Sequence, residues 1–280
     1  MKTQLFIIVA VLSLTFPAVA QHHREDNEIG PFIGCSYYIG DLNPLGHFNQ
    51  FTKPGVGLVF RHNFNTRLAG RFNALFGNIE GHDSYSKSAA QKQRNLNFKS
   101  PIYELSAQLE FNFLDYEIGN EKSKFSPYIF VGLAAFKFKP YGNLDNSYWI
   151  QLQPIGTEGQ GLDGGGSKYK LIQISIPFGV GIKTNLSQRL GVSFEWGMRK
   201  TFTDYLDDVS KTYYDTTKLA AAHGPNAAQL SDPSIGTDPA YTNVGRQRGN
   251  PTTKDWYSFA GITLTVKFKE KKKRCAGVGN

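Results

Sequence analysis

Six charged residues interrupt segments of this chain in which large apolar residues alternate with small or polar ones. Arginine and glutamate at such positions can form buried ion pairs, or they can line a path for protons or solutes. Side chains of opposite charge favour mutual neutralisation. The width of the space into which these side chains project decides between ion pairs and a path. The six residues are Arg61, Arg71, Glu104, Glu110, Glu195 and Arg199.

Histidines are the next candidates for chemistry, because a Ser/His/acid set on an outer wall would indicate a lipid-modifying enzyme. None of the six stands opposite an outward serine with an acid at an evident position. The pair His22 and His23 lacks the further ligands of a metal site. The sequence therefore predicts no catalytic, cofactor-binding or metal-binding residue and a protein that is not an enzyme. The other histidines are His47, His62, His82 and His223.

Two further groups could be mistaken for ligand sites. Asp204, Asp207 and Asp208 could hold calcium with loop carbonyls, but their spacing is not that of an EF-hand, and a turn-forming or solvated role is the alternative. Gly179 and Gly181 do not precede a helix, as a phosphate loop requires. We interpret them as strand residues that leave room in a narrow interior.

Period-two alternation indicates that the six charged residues lie on β-strands. In residues 256–268, Ile262 and Leu264 lie on one face and Thr263 on the other, a pattern that no helix uses. The longest apolar stretch after the N-terminal segment, residues 129–136, is far shorter than the roughly 20 residues of a helical membrane span. A soluble β-sandwich and a closed barrel in lipid remain, and the long apolar faces and the export signal favour the barrel.

The sequence predicts an all-β fold, an eight-stranded antiparallel up-and-down transmembrane β-barrel. Short connections, such as residues 64–66 and 186–189, fall on one side, and the long ones fall on the other. The termini are therefore predicted to be periplasmic and the long loops external. The predicted strands are residues 29–39, 56–63, 67–79, 102–114, 127–138, 171–185, 190–203 and 256–268.

The predicted strand count limits the use of the interior. A barrel of eight strands is only wide enough inside for its own side chains. The six charged residues are therefore interpreted as an ionic plug, and a pore is not expected. A proton or solute path is the alternative that the same size argument disfavours.

The N-terminal segment is interpreted as an export signal, and an exported β-barrel is expected in the cell outer membrane. Lys2 precedes an apolar stretch, and Ala18 and Ala20 are small residues of the kind that signal peptidase reads. Nucleic acid is not an expected partner, despite the formal net charge of +8, because the compartment excludes it. The predicted parts are residues 1–20 as signal peptide, 21–268 as outer-membrane barrel and 269–280 as a basic periplasmic tail.

The tail carries the candidate partner-binding residues. Its basic run either docks on a partner or is solvated beside lipid headgroups. The periplasm permits disulfides, and the only other cysteine, Cys35, lies in a strand on the predicted lipid-facing register. Our hypothesis is that Cys275 forms an intermolecular disulfide with a periplasmic partner, and a free thiol at Cys275 is the alternative. The residues are Lys271, Lys272, Lys273, Arg274 and Cys275.

Five segments of the chain resemble the PorG family, outer-membrane barrel proteins of the type IX secretion system in Bacteroidetes. Part of the fourth segment, TDYLDDVS, also resembles a broader group of Bacteroidetes barrels of undefined role. The segments are YYIGDLNP (residues 37–44), QLQPIGTEGQGL (151–162), ISIPFGVGIK (174–183), EWGMRKTFTDYLDDVS (195–210) and DWYSFAGITLTVKF (255–268).

The resemblance implies a non-enzymatic component of protein secretion. As a member of that family, the protein would anchor a periplasmic ring, made of a PorK-like lipoprotein and a PorN-like component, to the outer membrane and its lipid. Two other functions remain open. One is a related barrel with an envelope-structural or surface-binding role, and the other is a lipid-modifying barrel enzyme.

Overall fold

Eight long strands close into an antiparallel β-barrel, which confirms the predicted fold class. The computed structural model describes residues 26–43, 50–144, 148–234 and 242–268. In chain order the strands are β1 (Asp26–Ile39), β2 (Lys53–Asn63), β3 (Leu68–His82), β4 (Asn97–Asn112), β5 (Phe125–Phe138), the short β6 (Tyr141–Asn143) and β7 (Trp149–Gln151), β8 (Ile172–Asn185), β9 (Leu190–Thr201) and β10 (Trp256–Lys267).

The long strands follow one another around the ring. Each pairs antiparallel with the long strand before and after it in sequence, and β1 pairs with β10 to close the sheet. The short β6 and β7 form a hairpin between β5 and β8, and β6 pairs with β4 at Lys99. Closure leaves the eight long strands with no free edge, so their backbone polar groups are paired within the sheet.

Several strands extend beyond the limits that the sequence predicts. Strand β3 continues to His82 and β4 begins at Asn97, whereas the expected limits were residues 79 and 102. The outward residues there include Asn78 and Glu80, so apolar alternation ends while the ladder of backbone hydrogen bonds continues. The strands therefore project past the apolar part of the barrel at one end.

The outer wall carries a belt of exposed apolar side chains, such as Leu133 (70% exposed) and Leu105 (67%). We call the outward apolar residues of the eight long strands the belt. Aromatic pairs border the belt at both ends. Phe60–Phe268 and Phe111–Phe113 lie at one border, and Phe76–Tyr103 and Phe178–Trp256 lie at the other.

Connections at the first of these borders are short and fold back on the barrel. In residues 64–67 and 186–189, Asn65 and Ser187 accept hydrogen bonds from backbone amides of their own turns. The longer connection, residues 113–124, places Tyr116 and Ile118 under the barrel, where both are buried. We call this the short-turn end.

Long connections gather at the opposite, long-loop end, as the sequence predicts. They contain a 3₁₀ turn (Asp83–Tyr85) and the helices α1 (Ala89–Arg94), α2 (Leu152–Ile155), α3 (Thr216–His223) and α4 (Pro225–Ser231). We call residues 83–96, 139–144, 148–171, 202–234 and 242–255 the cap. Among the described residues, no helix is both long and apolar enough to cross a membrane. The predicted signal peptide and basic tail lie outside the described residues.

Candidate functional site

The lumen holds all six charged residues that the sequence singles out. Each sits at an inward position of its strand, since Arg61 is on β2, Arg71 on β3, Glu104 and Glu110 on β4, and the remaining two on β9. All six are at most 3% exposed. A channel wide enough for water would leave accessible area on these side chains.

Glu110 is the centre of the group nearest the short-turn end. One of its oxygens lies 3.2 Å from Arg61 Nε and 3.3 Å from Arg71 Nη1. The other oxygen is paired with Lys183 Nζ. Three cations therefore share one carboxylate, and Arg61 is further balanced by Glu28 at 2.8 Å.

Arg71 links this group to the middle of the lumen. Its guanidinium makes a two-pronged contact with Glu195, with Nη1–Oε2 at 2.7 Å and Nη2–Oε1 at 2.8 Å. Tyr128 also donates its hydroxyl to Glu195 at 2.9 Å. The ring of Phe130 lies 4.4 Å from the guanidinium carbon. Such a bidentate pair fixes geometry as well as charge.

A second group lies nearer the long-loop end. Arg199 Nε donates to Glu104 at 2.9 Å, and Tyr257 donates its hydroxyl to the same carboxylate at 2.9 Å. Arg199 Nη1 also donates to the carbonyl of Gly197 at 2.7 Å. The ring of Phe259 packs 4.9 Å from the Arg199 guanidinium. Aromatic side chains thus fill the space around each ion pair.

Sequence reasoning left two residues out of the ionic plug. Glu28 lies before the predicted start of the first strand, at residue 29, and Lys183 lies in the predicted strand 171–185 but is not one of the six residues. The structure pairs Glu28 with Arg61, and Lys183 with Glu110. Together with the six predicted residues they give four carboxylates and four cations, so the formal charges of these eight side chains cancel.

The two glycines in β8 have the role that the sequence indicates. A Cβ atom at Gly181 would lie 2.4 Å from Tyr128 Cζ, and one at Gly179 would lie 2.6 Å from Phe130 Cζ. The missing side chains therefore make room for the two rings that pack beside the Arg71–Glu195 pair. The lumen is filled by its own side chains, as a barrel of eight strands requires.

Above the lumen, two aspartates of the cap are buried and accept hydrogen bonds from residues of other segments. The Tyr38 hydroxyl donates to Asp207 and lies 3.2 Å from Asp255 Oδ1. Asp255 also accepts from the Leu206 amide at 2.9 Å. Burial, reinforced by the neighbouring carboxylates, raises the pKa of Asp207 and of Asp255 well above the usual range. The expectation of a solvated role is therefore wrong for Asp207.

Asp208 joins the cap to the connection between β7 and β8. It accepts hydrogen bonds from the hydroxyls of Thr157 and Tyr169. Burial raises the pKa of Asp208 to about 6, although Arg248 and these hydroxyls act in the opposite direction. The residue has a φ of 66°, a left-handed conformation that aspartate tolerates better than most residues. It is fully buried, so it too is not solvated.

Glu158 completes the cap network. It accepts from the amide of Ser210 at 2.8 Å and lies 3.2 Å from Arg248 Nη1. The amide of Lys211 also donates to it. These contacts hold together segments that are more than 50 residues apart in sequence. The aspartates thus stabilise turns and loops, and the described residues contain no cluster of three or more His, Cys, Asp or Glu side chains that could hold a metal ion.

Two of the three described histidines contact polar neighbours other than serine. His62 Nδ1 lies 2.9 Å from Asn27 Oδ1, and His82 Nε2 lies 3.0 Å from Glu80. Cys35 is a free thiol that contacts Tyr37. Tyr37 has the same outward register as Cys35 but is buried, so the outward face of β1 is not exposed at this position. The candidate partner-binding residues Lys271, Lys272, Lys273, Arg274 and Cys275 lie outside the described residues.

A polar cleft opens on the cap. It encloses about 540 Å³ and is lined by side chains of both charges, among them Asp41, Arg94 and Arg246. Arg94 is held by Asp83 at 2.7 Å.

Comparisons with known proteins give one family and several barrels. A family model described as a domain of unknown function (DUF6089) matches residues 3–221. No curated protein matches the chain.

Three similar solved structures cover most of the chain at low identity. Ail, the attachment invasion locus protein of Yersinia pestis, is 11% identical over 88% of this chain and 99% of that chain, with a TM-score of 0.41. Neisserial surface protein A is 8% identical over 86% and 97%, with a TM-score of 0.41. The outer membrane protein OprG from Pseudomonas aeruginosa is 11% identical over 89% and 98%, with a TM-score of 0.39.

Proposed function

Because the chain belongs to the family described as a domain of unknown function, DUF6089, we propose a function from its geometry and from its resemblance to the PorG family. The protein is a non-enzymatic barrel of the cell outer membrane that serves as a rigid anchor in protein secretion. More specifically, it holds a periplasmic ring of a PorK-like lipoprotein and a PorN-like component, as in the type IX secretion system. The short-turn end faces the periplasm, and the cap faces outward.

The belt is the observation that carries the membrane part of this proposal. Leucines, isoleucines and phenylalanines that are 40–70% exposed surround the barrel, whereas the eight charged side chains lie inside. In β3 the outward apolar run from Leu68 to Phe76 covers nine residues, close to the 9–11 residues of a tilted transmembrane strand. In water such a surface would be an aggregation liability, and in lipid it is solvated.

The sealed lumen supports an anchor over a conduit. Its charges are paired and buried, so the barrel offers a rigid body of fixed shape. The connection that contains Tyr116 and Ile118 covers the short-turn end. A partner on the periplasmic side would therefore meet a closed surface.

Four of the five segments that resemble the PorG family meet in or next to the cap. Tyr38 from the first segment contacts Asp207 of the fourth and Asp255 of the last, and Thr157 from the second donates to Asp208 of the fourth. The likeness thus falls on residues that contact one another although they are distant in sequence. This convergence supports the family resemblance, while the choice of partners rests on the resemblance alone.

Affinity purification tests the secretion assignment. An affinity tag inserted after Gly164 lies in an exposed part of the cap, where a Cβ atom would meet nothing within 4 Å. We expect gentle detergent extracts to yield a ring lipoprotein together with the tagged barrel. Replacement of Lys271, Lys272, Lys273 and Arg274 by glutamine should reduce that recovery.

Folding and location serve as the controls. The glutamine variant should retain the change in gel mobility on boiling that marks a folded barrel, and Lys200→Gln, on the outer wall, should leave recovery unchanged. Recovery of the barrel without any ring component would overturn the secretion assignment. A protein found in the soluble fraction without detergent would overturn the membrane assignment as well.

The cleft on the cap favours a second candidate, a barrel that binds a surface ligand. Its volume of about 540 Å³ lies within the roughly 300–1,000 Å³ of small-molecule sites. Binding of a ligand by purified protein, lost on Arg246→Gln and retained in the tail variant, would favour this function over anchoring.

A further inference from the structure

The outer wall carries a hollow beneath a single lysine. Outward residues of adjacent strands form lateral rows, because paired residues of the ladder point to the same side of the sheet. One row contains two alanines between larger residues, and we call it the middle row. It consists of Leu58, Ala74, Leu105, Ala135 and Ile174 on β2, β3, β4, β5 and β8.

The neighbouring rows place larger side chains on either side of the two alanines. The row on the long-loop side contains Phe76 and Tyr103, and the row on the short-turn side contains Phe72 and Leu133. The small alanines therefore lie between bulky side chains. Two adjoining hollows result, of about 680 Å³ and 500 Å³, which share the four residues Leu58, Ala74, Leu105 and Ala135. We call the combined hollow the groove.

Lys137 stands at the end of the groove that faces the cap. It pairs with Tyr103 on one side and Ile172 on the other, and it follows Ala135 on the same face of β5. The lysine is exposed and forms no hydrogen bond or ion pair with any residue that the structure describes. The groove is otherwise almost entirely apolar, so it presents a long greasy surface that ends in one positive charge.

We propose that the groove binds a phosphorylated, multiply acylated glycolipid of the lipid A type from the outer leaflet. This inference rests on the proposed function, since it requires the belt to lie in an outer membrane with the cap outside. The acyl chains occupy the hollows above Ala74 and Ala135. A headgroup phosphate meets Lys137 and the Tyr103 hydroxyl at the level of the aromatic border.

Charge complementarity selects this occupant. The acyl chains of any lipid could fill the hollows. A lysine at the extracellular border of the belt favours a lipid of that leaflet with an anionic headgroup. An apolar protein helix is a poorer match, because without an acidic residue it would leave Lys137 without a counter-charge. The free side chain can reach the interface, where long basic side chains extend their charge.

The opposite wall supplies a matched control. Lys200 is also outward and exposed, and it lies between Ile176 and Trp256 much as Lys137 lies between Ile172 and Tyr103. The row beneath Lys200 contains Phe178 and Met198 instead of alanines. The two lysines therefore share border, exposure and neighbours but differ in the hollow below.

Native mass spectrometry of the full chain in mild detergent, titrated with bisphosphorylated lipid A, tests the proposal. We expect the wild type to retain one lipid A molecule and Lys137→Gln to bind it about fivefold more weakly, the factor for one basic residue beside anionic lipid. Lys200→Gln should match the wild type. Ala74→Phe fills the groove and should also weaken binding, whereas Val180→Phe on the opposite wall should not.

Other outcomes overturn the proposal. Equal affinities for Lys137→Gln and Lys200→Gln would mean that lipid A binds non-specifically, and equal retention of phosphatidylglycerol would remove the glycolipid as the occupant. The change in gel mobility on boiling shows that each variant is folded. Failure to bind lipid A by a protein that still inserts into vesicles removes the groove alone, whereas failure to insert removes the proposed function.

Discussion

At the scale of single residues, the charge network of the lumen depends most on one carboxylate, that of Glu110. Glu110 alone contacts Arg61, Arg71 and Lys183. A buried charge is stable only when its interaction with a partner offsets the free energy of desolvation. Removing one arginine would leave Glu110 with two cations, but removing the negative charge of Glu110 affects all three at once.

We therefore predict that Glu110→Gln destabilises the barrel strongly. Gln keeps the size and one acceptor oxygen but leaves the three cations without the charge that they share. Breaking a buried ion pair from one side typically costs about 3–5 kcal/mol. Urea unfolding of the variant in phospholipid vesicles should show a loss of that order in the free energy of unfolding.

Glu121→Gln is the matched control, because Glu121 is exposed in the connection between β4 and β5. Its effect should be small, as for most surface substitutions. If both variants unfolded at the same urea concentration, the lumen network would not contribute to stability in the way that the geometry indicates.

At the scale of elements, the sequence predicts the eight long strands because apolar alternation persists wherever they cross the belt. It fails at their ends, where Asn78 and Glu80 break the alternation but the ladder continues. It also fails for the hairpin of β6 and β7, since three residues are too few to show a period. Glu28 was missed for the same reason, as it precedes the first clear alternation.

The cap could not be predicted because its contacts are made between distant segments. Asp207 and Asp208 look like residues of a solvated turn when only their neighbours in sequence are considered. Their partners, Tyr38 and Tyr169, lie 169 and 39 residues away. The resemblance to the PorG family includes the segment around these aspartates, but a resemblance does not show that they are buried.

This burial predicts an unusual pH dependence for the cap. The pKa of Asp208 is about 6 in the folded protein, against about 3.9 in an unfolded chain. Between these values the folded cap still holds a proton that the unfolded cap has released, so the stability of the cap decreases as pH rises from about 4 to about 6. The shift corresponds to about 3 kcal/mol.

Hydrogen exchange of residues 202–214 at several pH values measures this effect. Protection in the wild type should decrease as the pH rises from 4 to 6, and the raised pKa values of Asp207 and Asp255 should extend the decrease to higher pH. Asp208→Asn removes the titrating group and should flatten the slope, although Asp204, whose pKa burial also raises to about 6, will retain part of it. Protection that instead increased over this range would contradict the assignment of buried, protonated aspartates.

At the scale of the whole molecule, polarity is inverted relative to a water-soluble protein. Charged residues are buried and paired inside, whereas large apolar residues cover the outside. In water the belt would gain nothing from the hydrophobic effect, because its apolar surface remains outside after folding. In a bilayer the closed hydrogen-bonded sheet satisfies the backbone, and packing of the lumen determines the shape.

The inversion predicts that a charge on the outer wall is costly only in lipid. Leu133 is 70% exposed in the middle of β5, a position at which exposure to water would make Leu133→Arg nearly neutral. In a bilayer, arginine near the midplane should lower the free energy of unfolding by about 2–4 kcal/mol. Leu186, which is 58% exposed in a short turn, provides the comparison, and Leu186→Arg should change little. Urea unfolding in vesicles measures both, and equal effects of the two substitutions would place the belt outside the membrane.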